Sequence, residues 1–316
     1  MNNSKIVFLG TPEFAVSIFG LLLSAGWEIP LALTQPDRPR GRSNRPVPSP
    51  LAEVAEAAGV AVVKPEKVAG ALPQIKAADP ALLVVAAYGQ LLPPAVLQAA
   101  PHGALNVHAS LLPAYRGASP IQQAILDGGP ETGATVMLMD EGLDTGPILS
   151  QTTVPISPED TAGSLSRAVA NAGGRLLVEV LPGYLAGSLQ PASQPAAGAS
   201  YARQLNKTDG QIDWSQPAEK ILRQVRAMQP WPGAWTQLGG ETMQVVRARE
   251  LSPGATPARL EPGVFGAAES LEQPDISVGT GTEPVVVTTL KPAGKSAMAA
   301  EQWLRGYRGA QGQRFG

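Results

Sequence analysis

Residues 80–89 read PALLVVAAYG. From Ala81 to Ala87 the run holds no polar residue and shows no alternation of polar and apolar positions. A strand with one wet face alternates; a strand covered on both faces does not, and such strands belong to parallel sheets flanked by helices. The run is also far short of the roughly 20 apolar residues that a membrane-crossing helix needs. It is read as a central strand of an α/β sheet.

Upstream of it, KIVFLG (5–10) is another buried strand, ending in Gly10, and Pro12 is placed to open a helix through EFAVSIFGLLLSAG. IPLALTQ (29–35) and VAVVKP (60–65) read as strands, with SPLAEVAEAAG (49–59) between them as a helix capped by Ser49. EKVAGALPQIKAA (66–78) is weakly helical around Pro73. Downstream, GALNVHA (103–109), GATVMLMD (133–140) and GPILSQTTVPI (146–156) are further strands. SPIQQAILDGG (119–129) is a helix with Ser119 at the cap and Pro120 in the first turn. TAGSLSRAVANAGGRLLVEVLPGYLAG (161–187) is a long helical stretch with a weak point at Gly173–Gly174. Strands alternating with helices at this spacing predict a mostly parallel, doubly wound, Rossmann-like α/β domain over residues 1–188. Its first turn, GTPEF, lacks the G-x-G-x-x-G pattern, and no G-x-x-x-x-G-K loop follows, which argues against dinucleotide and phosphate-loop sites.

A chain of 316 residues is expected to form more than one domain. SLQPASQPAAGASYARQL (188–205) is rich in Pro, Ala, Ser and Gln and reads as a linker, assigned to 189–206. In 207–316 the pattern changes: one helix, PAEKILRQVRAM, precedes short segments such as TMQVVRAREL, DISVGTG and EPVVVTTLKP, separated by Gly and Pro. With the terminal helix AMAAEQWLRGYR this predicts a small β-barrel or sandwich.

The chain contains no cysteine, which excludes disulfides, thiolate nucleophiles and cysteine-bound zinc. The start, MNNSKIVFLG, carries only a short apolar run, too short for a signal-peptide core, so a soluble cytoplasmic protein is expected. The net charge of −2 gives no overall nucleic-acid signature. Residues 1–188 hold 11 Lys+Arg against 15 Asp+Glu, and residues 189–316 hold 13 against 11, so the second part is the less acidic. Asp140, Glu141 and Asp144 form an acidic loop without a calcium-loop pattern, and no metal is expected there.

With two histidines in the whole chain, His108 needs a reason to stand two residues from Asn106 at the end of a strand. Residues two apart on a strand project to one face. The carboxyl end of a strand is where an open α/β sheet places its ligand site. Asp144, in the Gly-bracketed loop of LMDEGLDTGPIL (138–149), is the third polar candidate. An amide, an imidazole and a carboxylate without a nucleophile suit direct acyl transfer to an amine. Asn106 and a protonated His108 can donate to a developing oxyanion. Asp144 can hold the imidazolium by opposite charge and share in moving the proton that the amine releases. An α-amino group titrates near ~8 and needs no activated residue. The plainer alternative is a capped structural histidine, a turn-forming Asn and a loop-stabilising Asp.

Taken in order, NVHASLLPAYRGASPIQQAI (106–125) and LMDEGLDTGPIL resemble the folate-dependent formyltransferases. The resemblance implies a catalytic set of Asn106, His108 and Asp144, with 10-formyltetrahydrofolate as co-substrate and no metal. It implies a folate site shaped by Ser110, Leu111, Leu112 and Pro113. In VVAAYGQLLP (84–93) a pterin pocket would draw on Val85, Tyr88, Gly89, Gln90, Leu91 and Leu92, with Met139, Asp140 and the loop to Asp144 as the other wall. From the residues alone these apolar positions are core, and the two roles are compatible.

LTQPDRPRGRSNRPVPSP (33–50) sets Arg38, Arg40, Arg42 and Arg45 in one loop on the same sheet edge. Charge runs are usually solvated decoration, but four arginines in an acidic domain are better explained by phosphate contacts. This loop, QLNKTDGQIDWS (204–215), QPWPGAW (229–235) and LKPAGKSAMAAEQWLRG (290–306) resemble the members of that family whose second domain, an open barrel of the oligonucleotide-binding type, contacts tRNA. The implied acceptor is the α-amine of methionine on initiator tRNA, with Arg38, Arg40, Arg42, Arg45 and Lys207 as tRNA contacts and a monomer as the default. Arg223, Arg226, Arg247, Arg249, Lys291 and Lys295 could extend a basic face. Trp214, Trp231 and Trp235 are read as core or domain-interface residues. The alternative acceptor is a UDP-linked amino sugar, and a non-catalytic folate- or tRNA-binding module is the reading from another class.

Overall fold

The computed structural model describes residues 4–39, 45–251, 260–267, 275–307 and 314–316. Arg40 and Arg42 lie outside the described residues. The chain divides into two compact units: residues 1–120, 130–156 and 164–203, and residues 121–129, 157–163 and 204–316.

The first unit is built on seven strands: β1 (Lys5–Gly10), β2 (Glu28–Leu33), β3 (Ala61–Val63), β4 (Leu82–Ala86), β5 (Ala104–His108), β6 (Glu131–Leu138) and β7 (Ile148–Pro155). Their order across the sheet is β7-β6-β5-β4-β1-β2-β3. Pairing is parallel from β3 to β5 and turns antiparallel at β6 and β7. The order reverses between β1 and β4, which is the switch point of a doubly wound sheet. Every residue of β4 and β5 is buried, as the unbroken apolar run around residues 80–89 demands. One apolar layer gathers Val7, Leu9, Leu31, Leu33, Leu83, Val85, Tyr88 and Val96. On α1 (Glu13–Ser24), Phe19 meets Phe8 of β1 edge-on at 5.3 Å. In α2 (Pro50–Ala57) the expected cap is present: the Ser49 hydroxyl accepts from the Ala52 N–H at 3.1 Å. The weak helix around Pro73 is a short 3-10 turn followed by α3 (Leu72–Ala77); α4 (Pro120–Asp127) lies from residue 121 onward in the second unit.

The long helix α5 (Ala162–Leu185) runs through Gly173–Gly174 without a break. The pair is a close-packing point rather than a weak one. A Cβ on Gly173 would come within 2.7 Å of Val107 and 2.8 Å of Ala134, and one on Gly174 within 2.6 Å of Leu21 and 3.3 Å of the Ile18 backbone. The two glycines therefore let α5 lie directly on β5 and β6 on one side and on α1 on the other.

Most of the segment read as a linker, through residue 203, belongs to this unit, and parts of it pair onto its strands. Ile148 and Ala192 exchange backbone hydrogen bonds of 2.7 and 2.8 Å, and Tyr201–Ala202 forms a parallel pair with Arg116–Gly117. Such two-residue pairings have no periodicity to read.

In the second unit, α6 (Ala218–Ala227) precedes β8 (Ala234–Leu238), β9 (Glu241–Arg249), β10 (Phe265–Ala267), β11 (Ile276–Val278), β12 (Val285–Pro292) and β13 (Met298–Ala299), with α7 (Ala300–Gly306) after them. The antiparallel order is β8-β9-β12-β11-β10, with β13 on β12. Register shifts near Val245 and Arg247 curl the sheet into a half-barrel. Residues 314–316 bridge its two edges: Gly316 exchanges hydrogen bonds with Gln237, and Phe315 donates to Gly263. Phe315 also stacks on Phe265 and Trp214 at 4.4 and 5.8 Å. No helix among the described residues is long and apolar enough to cross a membrane.

Candidate functional site

The register of β5 does what the two-residue spacing requires. Asn106 pairs with Val85 of β4 and Met137 of β6, and His108 pairs with Thr135, so both side chains leave the strand's carboxyl end on one face. Asp144 comes to them from the loop after β6, in the left-handed region at φ 53°. Its Oδ1 stands 3.5 Å from the Asn106 amide nitrogen and 3.6 Å from His108 Nδ1. Its Oδ2 accepts from the Gly117 N–H at 2.8 Å. The His108 and Asp144 side chains are only 6% and 15% exposed, so the cluster is shielded from bulk water.

His108 Nε2 lies 2.9 Å from the Tyr115 carbonyl oxygen. A carbonyl can only accept, so Nε2 carries the hydrogen and Nδ1 is left facing the carboxylate. At 3.6 Å the Nδ1–Oδ1 separation is an ion-pair distance and too long for a hydrogen bond. The Asn106 contact is at the long limit as well. The Asn106 amide and His108 Nδ1 therefore converge beside Oδ1 without being fully engaged by it; Nδ1 is an acceptor in this tautomer and becomes a second donor only when the ring takes up another proton.

Ser110–Pro113 is held tightly behind this cluster. The buried Ser110 hydroxyl donates to Ala114 O at 2.6 Å, and the Leu112 N–H donates to Thr135 Oγ1 at 3.1 Å. Gln151 reaches Leu112 O and Thr135 Oγ1 at 2.8 and 2.9 Å. Leu111 packs on Gly133, and the Leu112–Pro113 peptide is cis.

The expected pterin wall divides in two. Val85 and Tyr88 turn their side chains into the apolar core, at 4% and 2% exposure, so only their backbones can face a ligand. The Tyr88 carbonyl accepts from Thr11 and from Gln35 at 3.1 and 3.0 Å, which pins the turn through Gly89. Gln90, Leu91 and Leu92 line a cleft of about 470 Å³ with Lys67, Val68 and Glu141. The Gln90 amide is committed to Val68 N, at 2.7 Å, and to Pro65 O and Glu66 O. Leu91 is 76% exposed. Met139 is half-buried, and Asp140 closes its own loop through Gly142 N and Thr145. Among the described residues no group of three or more His, Cys, Asp or Glu could hold a metal ion.

Arg38 and Arg45 are exposed at the two ends of the arginine loop, where Arg38–Pro39 pairs with Pro46–Val47. Asp37 pairs with Lys64 at 2.9 Å. In the second unit Lys207 is exposed at the start of a 3-10 turn capped by Asn206. The wider basic face is thinner than its sequence suggests. Arg226 donates to Asp160 O, and burial lowers its pKa; Arg223 is tied to Glu219 and Asp127 O, and Arg249 to Asp275. Trp214 is buried and Trp235 half-buried, each with a bonded indole N–H, whereas Trp231 is 51% exposed and is not a core residue.

Residues that sequence reasoning did not single out complete the site. They are the Tyr115 carbonyl, the Gly117 N–H, and the pair Arg116–Gln194 described below. Arg116 and Gly117 at least lie within the quoted motif; Gln194 sits among Pro, Ala and Ser with no local signal.

Comparison with known proteins follows the same division. Residues 4–181 match the family described as formyl transferase, and residues 204–308 match the formyl transferase C-terminal domain. A methionyl-tRNA formyltransferase of Acidothermus cellulolyticus is 42% identical over 322 residues, covering 98% of this chain and 99% of its own. One of Heliobacterium modesticaldum is 42% identical over 318 residues, covering 99% and 100%. Among solved structures, an N-formyltransferase from Helicobacter canadensis, in complex with folinic acid and dTDP-3-aminofucose, superposes with a TM-score of 0.66 at 17% identity, over 90% of this chain and 98% of its own. At that identity the likeness is one of fold.

Proposed function

The chain belongs to the formyl transferase family, and from that premise we propose that it moves the formyl group of 10-formyltetrahydrofolate to the α-amine of methionine carried on initiator tRNA. Full-length relatives of that activity at 42% identity support the acceptor. The observation that carries the chemistry is the convergence of Asn106, His108 and Asp144 within 3.6 Å on one sheet edge.

The folate supplies an activated formyl carbonyl. The chain supplies donors and a proton acceptor. Asn106 Nδ2–H and a proton on His108 Nδ1 face the position where oxygen charge develops as an amine attacks. In a shielded site such donors are worth about 3–4 kcal/mol each. Asp144 Oδ1 lies beside both donors, so it balances the charge of a protonated His108 and accepts the proton shed by the amine, directly or through one water. As the tetrahedral intermediate collapses, the bond between the formyl carbon and the folate nitrogen breaks, and that proton passes to the nitrogen as tetrahydrofolate leaves. No covalent enzyme intermediate is required. Gln90, Leu91, Leu92 and the loop from Met139 to Asp144 hold the pterin, and Ser110–Pro113 shapes the rear of the same site. Arg38, Arg40, Arg42, Arg45 and Lys207 contact the tRNA backbone.

The test is transfer of labelled formyl from 10-formyltetrahydrofolate to methionine-charged initiator tRNA, with uncharged tRNA and a UDP-linked amino sugar as parallel acceptors. Formylation of the charged tRNA alone is expected, and His108→Ala should lower kcat by about 10²- to 10³-fold. Transfer only to the sugar would remove the tRNA acceptor and leave the catalytic set in place.

A further inference from the structure

Gln194 lies in the Pro- and Ala-rich segment after α5, yet each polar atom of its side chain is used. Its Nε2 donates to two carbonyl oxygens of the catalytic loop, Asp144 O and Gly146 O, both at 2.8 Å. Its Oε1 accepts twice from Arg116, from Nε at 3.2 Å and Nη2 at 2.6 Å. Two carbonyls on one side and a guanidinium on the other leave the amide a single orientation, since carbonyls cannot donate and guanidinium cannot accept.

The carbonyl it grips belongs to a residue in an unfavourable conformation. Asp144 adopts φ 53°, a region that non-glycine residues enter only when their surroundings hold them there. The next residue after Arg116 holds the side-chain end of the same aspartate, through the Gly117 N–H on Oδ2. Gly117 sits at φ 110°, and a Cβ there would come within 2.6 Å of Ala202 O. Arg116–Gly117 thus fixes Asp144 at both ends, directly at the carboxylate and through Gln194 at the backbone.

We propose that Gln194, anchored by Arg116, is a positioning residue that holds the left-handed Asp144 backbone so that its carboxylate faces Asn106 and His108. The inference rests on the catalytic role assigned to Asp144 above. Displacing a catalytic carboxylate by about 1 Å can cost on the order of 10²-fold.

Two substitutions separate positioning from packing. Gln194→Glu keeps the size and strengthens the contact with Arg116, but it removes both N–H donors to the loop. Gln194→Ala removes everything. If Gln194 positions Asp144, both variants lose about 10- to 100-fold in kcat. If Gln194 only anchors its own segment, Gln194→Glu keeps wild-type kcat. A second readout needs no substrate. The chain has two histidines, so ¹⁵N-histidine spectra isolate His108 once His102 is identified by His102→Gln. The His108 ring resonances in Gln194→Glu are expected to move toward those of Asp144→Asn. A folded Gln194→Glu protein with wild-type kcat and unmoved His108 resonances would overturn the proposal. Absence of formyl transfer in the wild type would instead count against the function, and the spectra would still report whether Gln194 sets Asp144 against His108.

Discussion

Tyr88 buries a phenol with nothing to bond to among the described residues, while its own backbone carbonyl is bonded twice. Desolvation pushes its pKa up to about 12. The sign of the consequence follows. Below about pH 10 the phenol is neutral in both the folded and unfolded states, and stability is whole. Above that the unfolded chain ionises first, so stability falls with pH until the folded phenol also ionises near 12. Tyr184, whose hydroxyl donates to His102 O at 2.8 Å, is raised by burial too and adds to the same limb. Tyr88→Phe deletes an unsatisfied buried hydroxyl, so stability at pH 7 should be unchanged or higher by up to about 1 kcal/mol. The alkaline loss should shrink without vanishing, and kcat should not change, because the ring faces the core. Urea unfolding at pH 7 and between pH 10 and 12 checks the first two. A clear loss of stability at pH 7 would mean that the hydroxyl has a partner. At this scale the site was partly legible. Asn106 and His108 announce themselves by their spacing on a strand, and Asp144 by its Gly-bracketed loop. Gln194 does not, because its role is written in distances of 78 and 50 residues along the chain, to Arg116 and to Asp144.

At the scale of elements, the same residue type has opposite meanings at two places on helices. Gly20 in α1 has nothing within 4 Å of where a Cβ would stand. Gly20→Ala should therefore gain the helix propensity difference, about 0.5–1 kcal/mol. Gly173 in α5 gains the same propensity, but its Cβ would press on Val107 of β5 and Ala134 of β6. Overpacking of that kind costs about 1–3 kcal/mol and shifts backbone, so Gly173→Ala should be net destabilising. It should also reduce turnover, since Val107 lies between Asn106 and His108. Parallel thermal melts of the two variants give the sign at each site. Equal and positive shifts would show that α5 can move off the sheet freely. The strands were readable because burial on both faces leaves an unmistakable apolar run, and α2 because Ser49 and Pro50 mark its start. The Gly-Gly pair was misread because a glycine selected for close approach and one that weakens a helix look identical in sequence. The pairing of Arg116–Gly117 with Tyr201–Ala202 was hidden for a different reason: two residues cannot display a period.

At the scale of the whole molecule, a net charge of −2 says little about a polyanionic substrate, because binding depends on the few cations that reach phosphates. Arg226, Arg223 and Arg249 are engaged with partners inside their own unit, which shifts the weight of the proposed tRNA contact to the arginine loop and Lys207. Each cation that displaces counterions from a nucleic acid contributes about 0.7–0.9 to the slope of log affinity against log salt. Replacing Arg40, Arg42 and Arg45 together by Ala should therefore flatten the salt dependence of KM for charged tRNA by up to about 2–3, and raise that KM at low salt. KM for 10-formyltetrahydrofolate should stay put if these arginines act on tRNA phosphates alone. Steady-state kinetics of the triple variant between about 50 and 200 mM salt tests this. An unchanged slope with an unchanged KM for tRNA would return the loop to ordinary solvated charge. A rise in KM that is the same at every salt concentration would mean that the arginines act through the shape of the loop rather than through phosphate contacts.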